Sequence, residues 1–425
     1  MTSDAFARHD LAPGLTLRVC PTKRFKSVTI QAFITARLDE STTARAMVPS
    51  VLRRGCRRQT TMRKISVFLE SLYGAALGVD VLKMGDRQIL SIRLETVSDR
   101  YLPGRPPVIR SAIDFLHRLL ARPVTKGNGL RPDIVAQERV NLRRYIEGII
   151  NDRAAYAHER CLNEMCRGEA YARYEYGRIE DLPGVGAADL LALHRRLVAS
   201  HPFDLYVLGD VREEAVVRQI DRLFVRERKG GVVAVPPTEV RPGTGADREV
   251  VETMDVEQGK LVMGFRTGAT LADDDIWPLV MYSGVLGGFP HSKLFRHVRE
   301  GAGLAYSIHS GLDWSKGLMF LEAGIDVAKY GKALPLIRKQ LAAMAAGDFS
   351  VEDLESTRKS MIDRLCGIAD SPARRIHTAF EMAAHGRPET PDAAIAAVAR
   401  VAREDIVRVA GRVKLETVYF LKSKS

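Results

Sequence analysis

Apolar and polar positions alternate over residues 14–20 (GLTLRVC) and again over 27–34 (SVTIQAFI), the period of two expected of strands with one buried face. A helix-like stretch follows at 44–53, and further strand patterns occupy 75–83 and 87–94. The spacing then changes: Ile113, Leu116, Leu119 and Leu120 fall on one side of a helix over 112–120. A long helical region is predicted over 133–167, with Gly168 as its stop, then a helix at 188–199 and a strand at 203–208.

Residues 226–247 (RERKGGVVAVPPTEVRPGTGAD) are rich in Gly, Pro and charge and have no helical period, which marks a linker. Beyond it the same order returns. A strand at 260–265 precedes a helix at 276–285, opened by the acidic run Asp273, Asp274 and Asp275. Strands at 305–311 and 317–324, a helix at 330–345, a long helical region at 351–384, a helical stretch at 391–409 and a strand at 415–421 complete the repeat. The expectation is an α+β protein of two similar halves, each a sheet covered by helices on one face. Its domains are 1–225 and 248–425, joined by the linker; 425 residues are in any case too many for one ordinary domain.

Composition adds bounds rather than an activity. With 46% hydrophobic and 27% charged residues the chain is an ordinary globular one. No apolar run reaches the roughly 18 residues of a membrane span, and residues 1–11 lack the apolar centre of a secretory signal. Five scattered cysteines (20, 56, 161, 166 and 366) fit a reduced, cytoplasmic protein. The net charge of +12 raises nucleic-acid binding, but no nucleic-acid fingerprint occurs and the basic residues are spread along the chain, so neither nucleic acid nor membrane is expected as a partner. A basic surface that attracts an acidic partner or peptide remains open.

The usual catalytic patterns are missing. Residues 284–290 (GVLGGFP) lack the spacing and preceding strand of a dinucleotide turn, and no Gly-x-Ser-x-Gly elbow occurs. His158, Cys161 and Cys166 share the predicted 133–167 helix, but at about 100° per residue Cys166 points well away from Cys161, so one helix cannot close a tetrahedral site with them. No metal is expected on this chain.

Two segments carry a resemblance. Residues 287–307 (GGFPHSKLFRHVREGAGLAYS) resemble the C-terminal signature of the pitrilysin-type zinc peptidases related to mitochondrial processing peptidase, in their compact bacterial branch. Leu52-Arg-Arg-Gly-Cys56 is similar to the segment directly after that family's His-x-x-Glu-His motif, and residues 138–145 (ERVNLRRY) resemble its Glu-Arg helix. The family binds zinc through the two histidines and a distant glutamate, and the motif's own glutamate activates water. Aligned through residues 52–56, Ala46 and Ser50 replace the histidines, Pro49 replaces the water-activating glutamate, and Tyr145 stands at the third ligand. Glu138 survives, and the reading gives it only helix-surface contacts to Asn141 and Leu142.

What the resemblance implies is one half of a peptidase without zinc of its own. In the family the Arg and Tyr of the C-terminal signature reach toward the zinc site opposite; here they are Arg299 and Tyr306, with the spacing of seven intact. A guanidinium fork and a phenol together suit a peptide carbonyl that becomes an oxyanion. Lys293, Arg296 and His297 on the same helix read as a solvated basic face. The implied function is the non-catalytic subunit of a heterodimeric zinc metallopeptidase. Its partner would be a homologous active chain carrying the only zinc, and peptides would be the substrates. The alternative is a non-catalytic scaffold or peptide-binding homodimer.

Overall fold

The computed structural model describes residues 5–387 and 390–423. From the N-terminus, β1 (Ala7–Ala12), β2 (Leu15–Pro21) and β3 (Ser27–Arg37) lead to helices α1 (Thr42–Leu52) and α2 (Met62–Ser71), then to the hairpin β4 (Ala76–Met84) and β5 (Arg87–Val97). Helix α3 (Val108–Ala121), the short hairpin β6–β7 (Thr125–Lys126, Gly129–Leu130), α4 (Pro132–Gly148) and α5 (Arg153–Met165) follow. Then come α6 (Ala187–Ser200), β8 (Phe203–Gly209) and α7 (Glu213–Phe224). The long strands form a six-stranded sheet of order β1-β2-β8-β3-β5-β4. Central β3 is antiparallel to both β5 and β8, so the C-terminal ends of β5 and β8 lie at the same end of the sheet, beside the start of β3. Alternate residues such as Leu17, Ile30, Ile92 and Leu205 enter one core with the apolar sides of α1, α3, α6 and α7.

The second half repeats the plan. Strands β9 (Arg248–Thr253) and β10 (Gly259–Arg266) precede α8 (Ile276–Ser283), two π-helical segments (Gly284–Gly288 and Phe295–Gly301), and strands β11 (Ala305–Asp313) and β12 (Leu318–Ile325). Helices α9 (Tyr330–Ala345), α10 (Val351–Ile368), α11 (Pro372–Ala384), α12 (Pro391–Arg400) and α13 (Arg403–Ala410) lead to β13 (Lys414–Lys422). The sheet order is β11-β12-β10-β13-β9, which leaves β11 at an edge.

Both long helical regions prove to be pairs of helices. A 3-10 turn at Ile149–Asn151 separates α4 from α5, and the Asp152 carboxylate caps α5 by accepting from the N–H groups of Ala154 and Ala155. Pro372 starts α11, because proline fits the first turn of a helix and breaks its interior. Two compact units result. The first holds the chain up to Glu147, Arg173–Pro237 and Pro372–Phe380; the second holds Gly148–Ala172, Thr238–Ser371 and the chain from Glu381. Each half therefore lends a helical segment to the other's unit, so each sheet is covered on its second face as well. Ala157, Cys161, Leu162 and Met165 of α5 pack with Val262, Phe320 and Tyr419, while Phe380 of α11 stacks on Phe33 at 4.0 Å. His158 is committed to Glu322 at 2.8 Å, and burial pushes the Cys161 thiol up. Among the described residues no helix is long and apolar enough to cross a membrane.

Candidate functional site

Helix α1 is fastened at its start by buried polar groups. The Arg45 guanidinium donates to Gln88 Oε1 at 2.8 Å and pairs with Asp39 at 2.9 Å. Gln88 in turn donates to the carbonyls of Thr42 and Glu175, tying α1 to β5 and to the loop over 173–177. That loop lies hard against the helix: Gly177 has φ +82°, and a Cβ there would come within 2.0 Å of Thr43 Oγ1.

The positions that correspond to the zinc motif are filled by packing. Ala46 is only 3% exposed and belongs to the core of the first unit. Pro49 lines a small apolar cavity of about 10 Å3 together with Leu120, His194 and Leu197. Ser50 is half-buried. Tyr145 on α4 is exposed, its ring 4.5 Å from that of Tyr176, whose hydroxyl donates to Asp80 on β4 at 3.0 Å. Burial, followed by the Asp80 carboxylate and the Tyr145 hydroxyl, pushes the Tyr176 phenol up, so it stays a neutral donor. The place of a third ligand is thus an aromatic contact. Among the described residues no group of three or more potential ligands could hold a metal.

Glu138 differs from its sequence reading. It is 6% exposed and, besides accepting from Asn141, forms an ion pair with Arg54, which joins α4 to the residues just past α1. The two lie 84 positions apart, and the only signal for the pair was that both flank segments of the family pattern.

His194 shows how tightly the region is packed. It is fully inside the first unit, its Nε2–H donates to the Leu120 carbonyl at 2.7 Å, and burial pushes its pKa down to about 4. The unfolded imidazole titrates near 6.5, so the unfolded chain binds more protons between those values and stability falls as pH drops from 6.5 to 4. The expected loss from this group is about 3 kcal/mol. Urea unfolding at pH 7 and pH 4 should show a smaller pH difference in His194→Gln than in the parent chain; equal differences would contradict the assignment.

In the second unit the chain from α8 to β11 is drawn close by glycine. A Cβ on Gly287 would meet Ser310 N and Oγ at 2.9 Å, so only glycine lets the first π-helical segment lie on β11. The second π-helical segment carries Arg299, whose guanidinium sits 4.4 Å from the Phe295 ring centre and is exposed. The chain turns through Gly303 (φ +60°) into β11. There Ala305 pairs with Ile325 and Ser307 with Gly324, leaving Tyr306 as the extra residue of a bulge, 64% exposed. Bulges re-aim side chains. Neither Arg299 nor Tyr306 has an ion pair or side-chain hydrogen bond among the described residues. Of the expected basic face, Arg296 and His297 are exposed, Arg296 pairing with Asp353 at the start of α10, whereas Lys293 is 5% exposed and donates to the Asp348 carbonyl.

The Peptidase M16 inactive domain matches residues 184–361. The "probable inactive metalloprotease YmfF" of Bacillus subtilis strain 168 is 33% identical over 414 residues, 96% of each chain. The chain belongs to the M16 peptidase family. A crystal structure of a conserved protein from Enterococcus faecalis V583 is similar over 99% of both chains, with a TM-score of 0.90 and 27% identity. The "uncharacterized zinc protease YmxG", also of Bacillus subtilis strain 168, is 26% identical over 159 residues, 36% of this chain and 37% of that one. The α+β architecture and the resemblance read from the sequence are those of the M16 family. This sequence contains no His-x-x-Glu-His.

Proposed function

We propose that this M16 chain is the catalytically inactive subunit of a heterodimeric zinc metallopeptidase, closing a peptide chamber and supplying Arg299 and Tyr306 to the zinc site of an active partner. The observation that carries the reading is a contrast. The zinc-site positions are absorbed into apolar and aromatic packing, whereas Arg299 and Tyr306 are exposed and carry no ion pair or side-chain hydrogen bond among the described residues. An alanine and a proline cannot ligate or activate water, so this chain supplies no metal-bound hydroxide of its own. Donors left free, Arg299 on a π-helical segment and Tyr306 on a bulge, suit a charge that develops on a bound peptide. The pairing is also supported by one bacterium that has both a probable inactive metalloprotease and a zinc protease similar to this chain.

Affinity purification of the tagged chain from its host tests the proposal. A stoichiometric homologue with an intact His-x-x-Glu-His is expected, with peptidase activity only in the complex. Metal analysis should find one zinc per heterodimer and none on the isolated chain. Recovery of the chain only with itself, without zinc or activity, would favour the scaffold or peptide-binding homodimer instead.

A further inference from the structure

A cavity of about 990 Å3 opens in the first unit, sharing no residue with the degenerate zinc site. Six arginines line it: Arg100 and Arg105 from the loop after β5, Arg110 from the first turn of α3, Arg212 at the start of α7, and Arg218 and Arg222 from that helix. Its carboxylates are Asp99 and Asp210, and both are engaged. Asp99 accepts from the Ile109 N–H at 3.0 Å, and Asp210 accepts from Arg100 at 3.4 Å. The other five arginines have no ion pair or side-chain hydrogen bond among the described residues. A concentration of like charge without compensation calls for a ligand that supplies it.

The backbone points the same way. β5 and β8 finish at the same end of the sheet, so α3 and α7 both begin at this cavity. Arg212, which precedes α7, does not cap that helix with a side chain, whereas the start of α3 is already capped by the Asp99 carboxylate through the Ile109 N–H. Helix starts present N–H groups and the positive end of the dipole to an anion. Leu102 to Arg105 form a turn closed by Arg105 N–H to the Leu102 carbonyl at 3.1 Å, with Pro103 and Gly104 at its centre. Arg105 itself is held at φ +49°, a left-handed conformation that a non-glycine residue seldom adopts outside a constrained site.

We propose that this cavity binds a small molecule bearing linked phosphates, in which a di- or triphosphate group lies among the guanidinium groups and the start of α7. The size is that of a small-molecule pocket rather than a track for a nucleic-acid strand. Arginine is the side chain that meets phosphate oxygens in pairs. A linked triphosphate brings several negative charges in one ligand, as six arginines against two engaged aspartates require.

Titration calorimetry on the full chain at low ionic strength, with sodium triphosphate and with ATP, tests this. Saturable one-to-one binding of triphosphate is expected, weakening steeply with added salt. Arg218→Gln/Arg222→Gln and Arg105→Gln/Arg110→Gln each weaken it about tenfold or more. These side chains are exposed, so the variants should fold as the parent does, and circular dichroism checks that. ATP binding about as tightly as triphosphate would identify inorganic polyphosphate as the ligand type. A much tighter ATP would identify a nucleotide. Absence of triphosphate binding would overturn the proposal. So would equal weakening by Arg57→Gln/Arg58→Gln, outside the cavity, since that would mean only diffuse surface attraction. None of these outcomes depends on a zinc-bearing partner.

Discussion

Arg299→Ala in the assembled heterodimer is expected to lower kcat about 10²–10³-fold, the usual consequence of removing one preorganised donor to an oxyanion. The fold and the complex should survive, because the guanidinium is exposed, lies over the Phe295 ring and has no ion pair or side-chain hydrogen bond among the described residues. The effect should fall on kcat more than on KM if the contact strengthens as charge develops on the peptide carbonyl. Tyr306→Phe removes only a hydroxyl and should lower kcat about tenfold, with the bulge at residues 305–307 unchanged. Steady-state kinetics of both variants, reconstituted with the active chain, decide the matter. Unchanged turnover in Arg299→Ala would sink the assignment of this residue to the partner's site, whatever the variant did to stability.

The second large effect concerns stability. Glu169, with its side chain only 1% exposed, ion-pairs with Arg266 and, at 2.9 Å, with Lys316, whose side chain is wholly buried. Lys316 also donates to the Glu239 carbonyl at 2.7 Å. Burial pushes the Glu169 carboxyl up, but its Arg266 and Lys316 partners outweigh burial and hold it below the usual carboxylate range. Glu169→Ala would leave two cations buried with their shared counter-charge gone, and it is expected to destabilise the protein by about 3–5 kcal/mol. Replacing all three with apolar residues of similar volume should cost far less, since the desolvation of the charges goes with them. Equilibrium unfolding in urea measures both. A loss under 1 kcal/mol in Glu169→Ala would mean that water reaches the site. Because the folded carboxyl titrates lower than the unfolded one, this contribution is present above the unfolded pKa of about 4.5 and is lost as pH falls through the folded value.

Much of the fold was legible along the chain. Strands β2 and β3 announce themselves by alternation, because a pleated strand puts every second side chain on one face, while β10 and β13 read as short apolar runs and are buried on both faces. Helix α7 was also within reach: Val216, Ile220, Leu223 and Phe224 keep a helical spacing that the charged residues around them obscured. The absence of any His-x-x-Glu-His was readable because ligation depends on which side chain stands at a position, a local property. The breaks at 149–152 and 371–372 were not read, since apolar spacing resumes on the far side of each.

By itself, then, the sequence determined the two repeated α+β halves, the membership of the M16 family, the absence of a His-x-x-Glu-His motif and the Arg299–Tyr306 spacing. All of these follow from residue identity or short-range periodicity. Tertiary structure decided which helical segment covers which sheet, that Tyr306 stands on a bulge, and that Glu138 pairs with Arg54. It also decided where the basic charge goes. Residues 100–110 and 212–222 look like scattered arginines along the chain, but β3 pairs antiparallel with both β5 and β8 and delivers the two stretches to one cavity. Such pairing is set by packing between residues roughly a hundred positions apart, and no short-range pattern carries it.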